Sequence, residues 1–161
     1  MEAVNLATSP LLIAQKTITL TGAGTYNIFQ LTGSAIVTHI WGIVTVQIAA
    51  ATTAACLDLF PTAGAAIQIT SAAGTDISAL PVGSVLNKGN TAATALTASS
   101  SALGYINEQA GLILAPCMLG QKTGVVTHIR FKATEGGTAG AIEWHIEWKK
   151  LNSTSLIIPA V

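Results

Sequence analysis

Charge is what this chain most lacks. Asp, Glu, Lys and Arg make up 9% of its 161 residues, against roughly 25% in an average soluble domain. Seven acids cancel seven bases, so no long-range field draws nucleic acid or an anionic membrane surface. A surface so poor in charge protects a free monomer badly against association. The composition therefore predicts a homo-oligomer or larger assembly that covers part of that surface. Cysteine is scarce too: Cys56 and Cys117 lie far apart, with no Cys-x-x-Cys step and no His/Cys ligand spacing. They read as two buried thiols, a single disulfide being the other option, and no cofactor is implied.

The chain also lacks the marks of export and of a membrane helix. In MEAVNLATSPLLIAQK, Glu2 stands where a secretion signal needs a positive region, so none is expected. The acceptor triplet Asn152-Ser153-Thr154 then carries no meaning. Charge is absent altogether from Thr17 to Leu57, and IWGIVTVQIAAATTAACL is long enough to span a bilayer as a helix. Gln47, several threonines and many β-branched residues favour strands instead, and no membrane partner is expected.

What is present is period two. KTITL, GTYNIFQL, SAIVTHIWGIVTVQI, CLDLF, AIQIT, GLILAP and GVVTHIRFKA alternate or are rich in β-branched residues. TGAG, PTAG, PVGS, NKGN and EGGTAG punctuate them. This predicts one all-β domain, an antiparallel sandwich or barrel of jelly-roll-like kind, over residues 15–161. Residues 1–14, without clean alternation, read as an N-terminal arm. NTAATALTASSSAL, near 90–103, reads as a long exposed low-complexity loop. Strict alternation puts Ile36, Ile40, Val44, Val46 and Ile48 on one face. Val-Thr-His-Ile occurs twice, but its flanks do not match, and the repeat reads as coincidence.

The stretch AIEWHIEWKK poses the functional question. Glu143, His145 and Glu147 share one strand face, where alternate side chains stand about 6–7 Å apart and a pair of them suits a metal. The preceding strand offers a simpler account. In HIRFK, His128, Arg130 and Lys132 share one face and Ile129 and Phe131 the other. An antiparallel hairpin through the glycine-rich TEGGTAG would set Lys132 opposite Glu143, Arg130 opposite His145 and His128 opposite Glu147. The same register would set Phe131 opposite Trp144. Such charge pairs contribute about 0.2–1 kcal/mol each, and they would occupy the acids that a metal needs.

Other chemistry has less support. No serine stands in a nucleophile setting such as Gly-x-Ser-x-Gly. Asp58, Asp76 and Glu108 are scattered rather than paired as glycosidase carboxylates would be. The Gly-Ala-Gly of TGAGTY opens no helix and reads as a turn. Trp144 and Trp148 share a face with Ile142 and Ile146, which suggests core or subunit interface. Trp41, close to His39, is the better candidate for a subunit contact.

The run IFQLTGSAIVTHIWGIVTVQIAAATTAACLDLFPTAGAAIQIT, then DISALPVGSVL and GAIEWHIEWKKLNSTSLIIPA, resembles a group of small tailed-phage virion proteins. The segments Gly42-Ile43-Val44-Thr45 and Pro61-Thr62-Ala63-Gly64 carry the likeness best. It covers about two-thirds of the chain through structural motifs rather than chemical ones. The resemblance implies a non-enzymatic virion component, most directly a capsid decoration (cement) protein. Such a protein would assemble in the host cytoplasm, form a homo-oligomer with a trimer favoured, and bind the major capsid protein on the head surface. A tail, baseplate or head-fibre module binding a host glycan is the alternative, and a small hydrolase or metal enzyme a distant one. Where members of the group tend to end in Tyr-x-Pro, this chain has Trp148-Lys149-Lys150. With His39 and Trp41, those three residues are the expected interface set.

Overall fold

Alternating β-branched and polar residues build strands throughout, and the described residues contain no helix. The structure, a computed structural model, describes residues 10–49, 52–89, 91, 93–100, 116–133 and 139–161. Its strands are β1 (Leu12–Thr19), β2 (Gly24–Thr32), β3 (Ser34–Val46), β4 (Cys56–Pro61), β5 (Ile67–Gln68) and β6 (Val85–Asn87). They continue as β7 (Thr97–Ser99), β8 (Cys117–Gly120), β9 (Thr127–Ala133), β10 (Ala141–Lys150) and β11 (Leu156–Pro159).

Two antiparallel sheets face each other. The first runs β1-β10-β3-β6-β7, with β8 sharing the β6 side of β3, and the second runs β11-β2-β9-β4-β5. The early strands alternate between sheets, and β9 and β10 return to pair beside them, the strand order of a jelly roll. The fold is thus a single β-sandwich, and among the described residues its edges are open and no barrel closes. The uncharged run that could span a bilayer as a helix, residues 40–57, instead supplies the end of β3 and the start of β4, and no helix of the described residues is long and apolar enough to cross a membrane.

Inward residues of both sheets form one core. The first sheet contributes Ile18, Ile40, Val44, Ile142, Trp144, Ile146 and Trp148, and the second Phe29, Leu31, Leu57, Leu59, Ile129 and Phe131. Trp144 lies flat enough to fit because its cross-strand partner on β3 is Gly42. A Cβ there would come within 2.8 Å of Ile142 Cγ2 and 3.0 Å of Trp144 Cε3. The indole N–H groups of Trp144 and Trp148 are buried with no hydrogen-bond partner among the described residues. Packing must offset that loss, about 1–3 kcal/mol for each buried donor.

Three bulges break the simple alternation. The β3–β10 register shifts between Glu147 and Trp148 and again between Ala141 and Ile142, and the β2–β9 register shifts between Asn27 and Phe29. Each extra residue turns the following side chains over. Ala35 and Val37 therefore face the core before Thr38, and Ile40 and Val44 face it after. Ile36 and Val46, expected beside Ile40, lie on the outer face, and Val46 is exposed. In β2 the bulge buries Ile28 and Phe29 together.

Three expectations need correction. β9 and β10 do not form a hairpin: β9 lies between β2 and β4 in one sheet, β10 between β1 and β3 in the other. Phe131 does meet Trp144, ring centroids 5.3 Å apart, but across the core rather than along a ladder. Strand structure begins at Leu12, inside the expected arm, with Leu12 to Ala14 paired to Trp148 to Ile146; residues 1–9 lie outside the described residues. The low-complexity stretch holds β7, paired to β6, and a buried Leu96; positions 90, 92 and 101–103 lie outside the described residues. Cys56 and Cys117 are free thiols, and burial raises the pKa of both.

Candidate functional site

The outer face of the first sheet carries the densest group of functional side chains. β10 places Glu143, His145 and Glu147 in a row, and the neighbouring β3 sets Ile43, Trp41 and His39 directly opposite them. The Trp41 ring stacks on both histidines, its centroid 4.7 Å from that of His39 and 4.9 Å from that of His145. His39 Nε2 is 3.2 Å from Oδ1 of the buried Asn87. Burial lowers the pKa of His39, and the Asn87 hydrogen bond and Glu147 offset this in part. Glu143 Oε1 lies 2.9 Å from His145 Nε2, a close polar contact that falls short of an aligned hydrogen bond. The bulge at Thr38 lets its hydroxyl donate to Glu147 O at 3.2 Å.

The outer face of the second sheet is organised by an acid that composition alone left scattered. Asp58 on β4 pairs with Arg130 on β9, and its side chain has 0% exposure. Arg130 grips it with both prongs, Nε to Oδ1 at 2.7 Å and Nη2 to Oδ2 at 2.8 Å. The guanidinium also lies over the Phe60 ring, 3.7 Å from its centroid. Lys132 Nζ stands 3.9 Å from Asp58 Oδ2. Bidentate geometry, stacking and burial together make this a structural clamp. His128, one step further along β9, has its pKa lowered by burial and by the charges of Arg130 and Lys16.

The cross-strand pairs expected from sequence are therefore not formed. His128, Arg130 and Lys132 face outward from one sheet, and Glu143, His145 and Glu147 face outward from the other. The physical reason is that β9 and β10 meet through their apolar faces, so their polar faces point to opposite sides of the molecule. Of the expected interface set, Trp148 is 2% exposed and belongs to the core. His39, Trp41, Lys149 and Lys150 are partly exposed, with Lys149 opposite Ile36 on β3. Asp58 was missed because its partner lies 72 residues away in a strand that sequence reading paired elsewhere.

Apolar surface collects on both flanks of the sandwich. On the β1 and β11 side, Leu11, Ile13, Leu156 and Ile158 are exposed. On the β5 and β8 side, Ile67 and Met118 are exposed, Met118 by 75%. There they border a cleft of about 420 Å³ lined also by Leu59, Ile69, Cys117 and Lys88. Among the described residues, no group of three or more His, Cys, Asp or Glu side chains is placed to hold a metal ion. On the first sheet Glu143 and Glu147 face imidazoles, and on the second Asp58 faces a guanidinium. Comparison with protein-family models, with curated proteins and with solved structures finds no match.

Proposed function

We propose that the chain is a virion structural protein, a capsid decoration protein that self-associates and cements the major capsid protein lattice. The observation that carries this reading is the pair of apolar, nearly uncharged flanks. A subunit with two such sides can contact a neighbour on one and a lattice on the other. Its action is mechanical: burial of apolar and Thr-rich surface stabilises the shell against internal pressure with no covalent step. An interface of ordinary size, about 1,600 Å², suffices for specific attachment. Jelly-roll sandwiches serve as capsid and lectin domains alike, so the fold supports this reading only by analogy.

The test is to add purified protein to undecorated expanded heads and image them by electron microscopy. Ordered density at capsomer boundaries is the expected result. Protein that ignores heads and binds a polysaccharide would favour the alternative, a tail or head-fibre module. Trp41 is the observation behind that second reading, although both stacked histidines cover part of its ring surface.

A further inference from the structure

An edge strand exposes a row of N–H and C=O groups that have no ladder partner, and its length sets how much backbone another chain can pair with. β5, β7, β8 and β11 are short, with two, three, four and four residues. β1 is different: it is an edge of eight residues, paired along one side to β10. On its other side no backbone hydrogen bond to a described residue forms.

Long edges are normally blocked by a charge, outward or inward, by a proline or by a bulge. β1 has no outward charge, no proline and no bulge, and its inner face carries a single charge. Its outward side chains are Ile13, Gln15, Thr17 and Thr19, and its register with β10 is unbroken. Its one charged residue, Lys16, is tied back into its own subunit, with Nζ 2.9 Å from Asn27 O and 2.5 Å from Ala160 O. Ile13, 61% exposed, adds an apolar anchor.

We propose that β1 pairs antiparallel with β1 of a second copy across a two-fold axis at Gln15, joining the two first sheets into one continuous sheet. The strand is complementary to itself. Opposed residues in an antiparallel pair share a face, so the axis must pass through a residue rather than between two. With the axis at Gln15, Ile13 meets Thr17 on the outer face, and Leu12 meets Ile18 and Ala14 meets Lys16 on the inner one. Moving the axis to Lys16 would oppose Lys16 to itself, which like-charge repulsion disfavours. A formal net charge of zero adds no long-range repulsion between copies. A strongly charged partner would find nothing to engage on this outward row. Leu156 and Ile158, exposed on the adjacent β11, lie on the same flank and extend the contact.

Such an isologous contact closes at two copies, so a three-fold ring would need a different surface. The pairing does not depend on the virion reading, since it needs no capsid.

Single cysteines at Ile13, Gln15 and Thr17, each in a Cys117→Ser background, read the register directly. Only position 15 faces its own copy. Opposed Cα atoms about 4.5–5.5 Å apart lie within disulfide reach, about 4.4–6.8 Å. Mild oxidation of Gln15→Cys is expected to give a covalent dimer on a non-reducing gel, and the other two variants monomers. In parallel, Ile13→Lys with Thr17→Lys sets lysine against lysine across the axis. Within one subunit these positions lie opposite Glu147 and Glu143, so the fold itself is retained, as circular dichroism should verify. Light scattering should then report a folded monomer. Cross-linking at 13 or 17 but not at 15, or an unmodified chain that is monomeric, would overturn the proposal. So would an oligomer that the lysine pair leaves intact.

Discussion

Asp58 is fully buried yet paired, because Arg130 supplies two aligned donors and its guanidinium is itself held over the Phe60 ring. Removing one partner of such a pair is costlier than removing both, because the survivor is left desolvated and unpaired. Asp58→Asn is therefore expected to destabilise the sandwich by about 3 kcal/mol, and Asp58→Asn with Arg130→Met to recover part of that loss. Urea denaturation of the three proteins measures both. Two histidines contribute to the acid side of the stability profile. His39 and His128 both have pKa values lowered from the ordinary 6.5, chiefly by burial. His39 faces Asn87, Glu147 and Lys88, and His128 faces Arg130 and Lys16. Below that ordinary value the unfolded chain takes up protons that the folded one resists, so stability falls as pH drops. Above it both states are neutral and the effect vanishes. Melting temperatures should thus be flat between about pH 7 and pH 8 and decline on acidification below about 6.5. Replacing both histidines by glutamine should flatten the decline.

At the level of the strand, β10 holds the first sheet together, pairing along its full length with β3 and over residues 141–148 with β1. Its central tryptophan needs the space that Gly42 leaves. Gly42→Ala puts a methyl group against Ile142 and Trp144, and overpacking of this kind costs about 1–3 kcal/mol. A loss of about 2 kcal/mol in equilibrium unfolding is the expected outcome. β10 also shows what the sequence makes legible. Its alternation marks the strand, its dry face and its wet face, and Trp144 does lie against Phe131. The partner strands are not legible in that pattern. Two alternating strands match their apolar faces equally well side by side or across a core, so proximity in sequence favoured a hairpin that the fold does not contain. The long separation of Asp58 from Arg130 follows from the same ambiguity. The two register shifts of β3, at Thr38 and between Val44 and Val46, likewise leave no mark in the alternation, which is why strict alternation places Ile36 and Val46 inside.

For the molecule as a whole, two sparsely charged flanks and a long open edge leave apolar burial and backbone hydrogen bonds as the forces for association. Their response to solvent differs from that of ion pairs. Raising NaCl from about 0.1 M to about 1 M shortens the screening length from about 10 Å to about 3 Å. That change weakens an interface carried by exposed charge pairs. It leaves one carried by Leu, Ile, Thr and backbone groups unchanged, and excluded salts such as sulfate strengthen it. Cooling acts in the opposite sense, because the hydrophobic contribution fades at low temperature. The dissociation constant of the oligomer, measured by sedimentation at both salt concentrations, should stay the same within about threefold, tighten in sulfate and loosen near 4 °C. A tenfold weakening in NaCl would instead assign the contact to Glu143, Glu147 and Lys149 on the outer face of the first sheet. The two flanks would then be bare for some other reason.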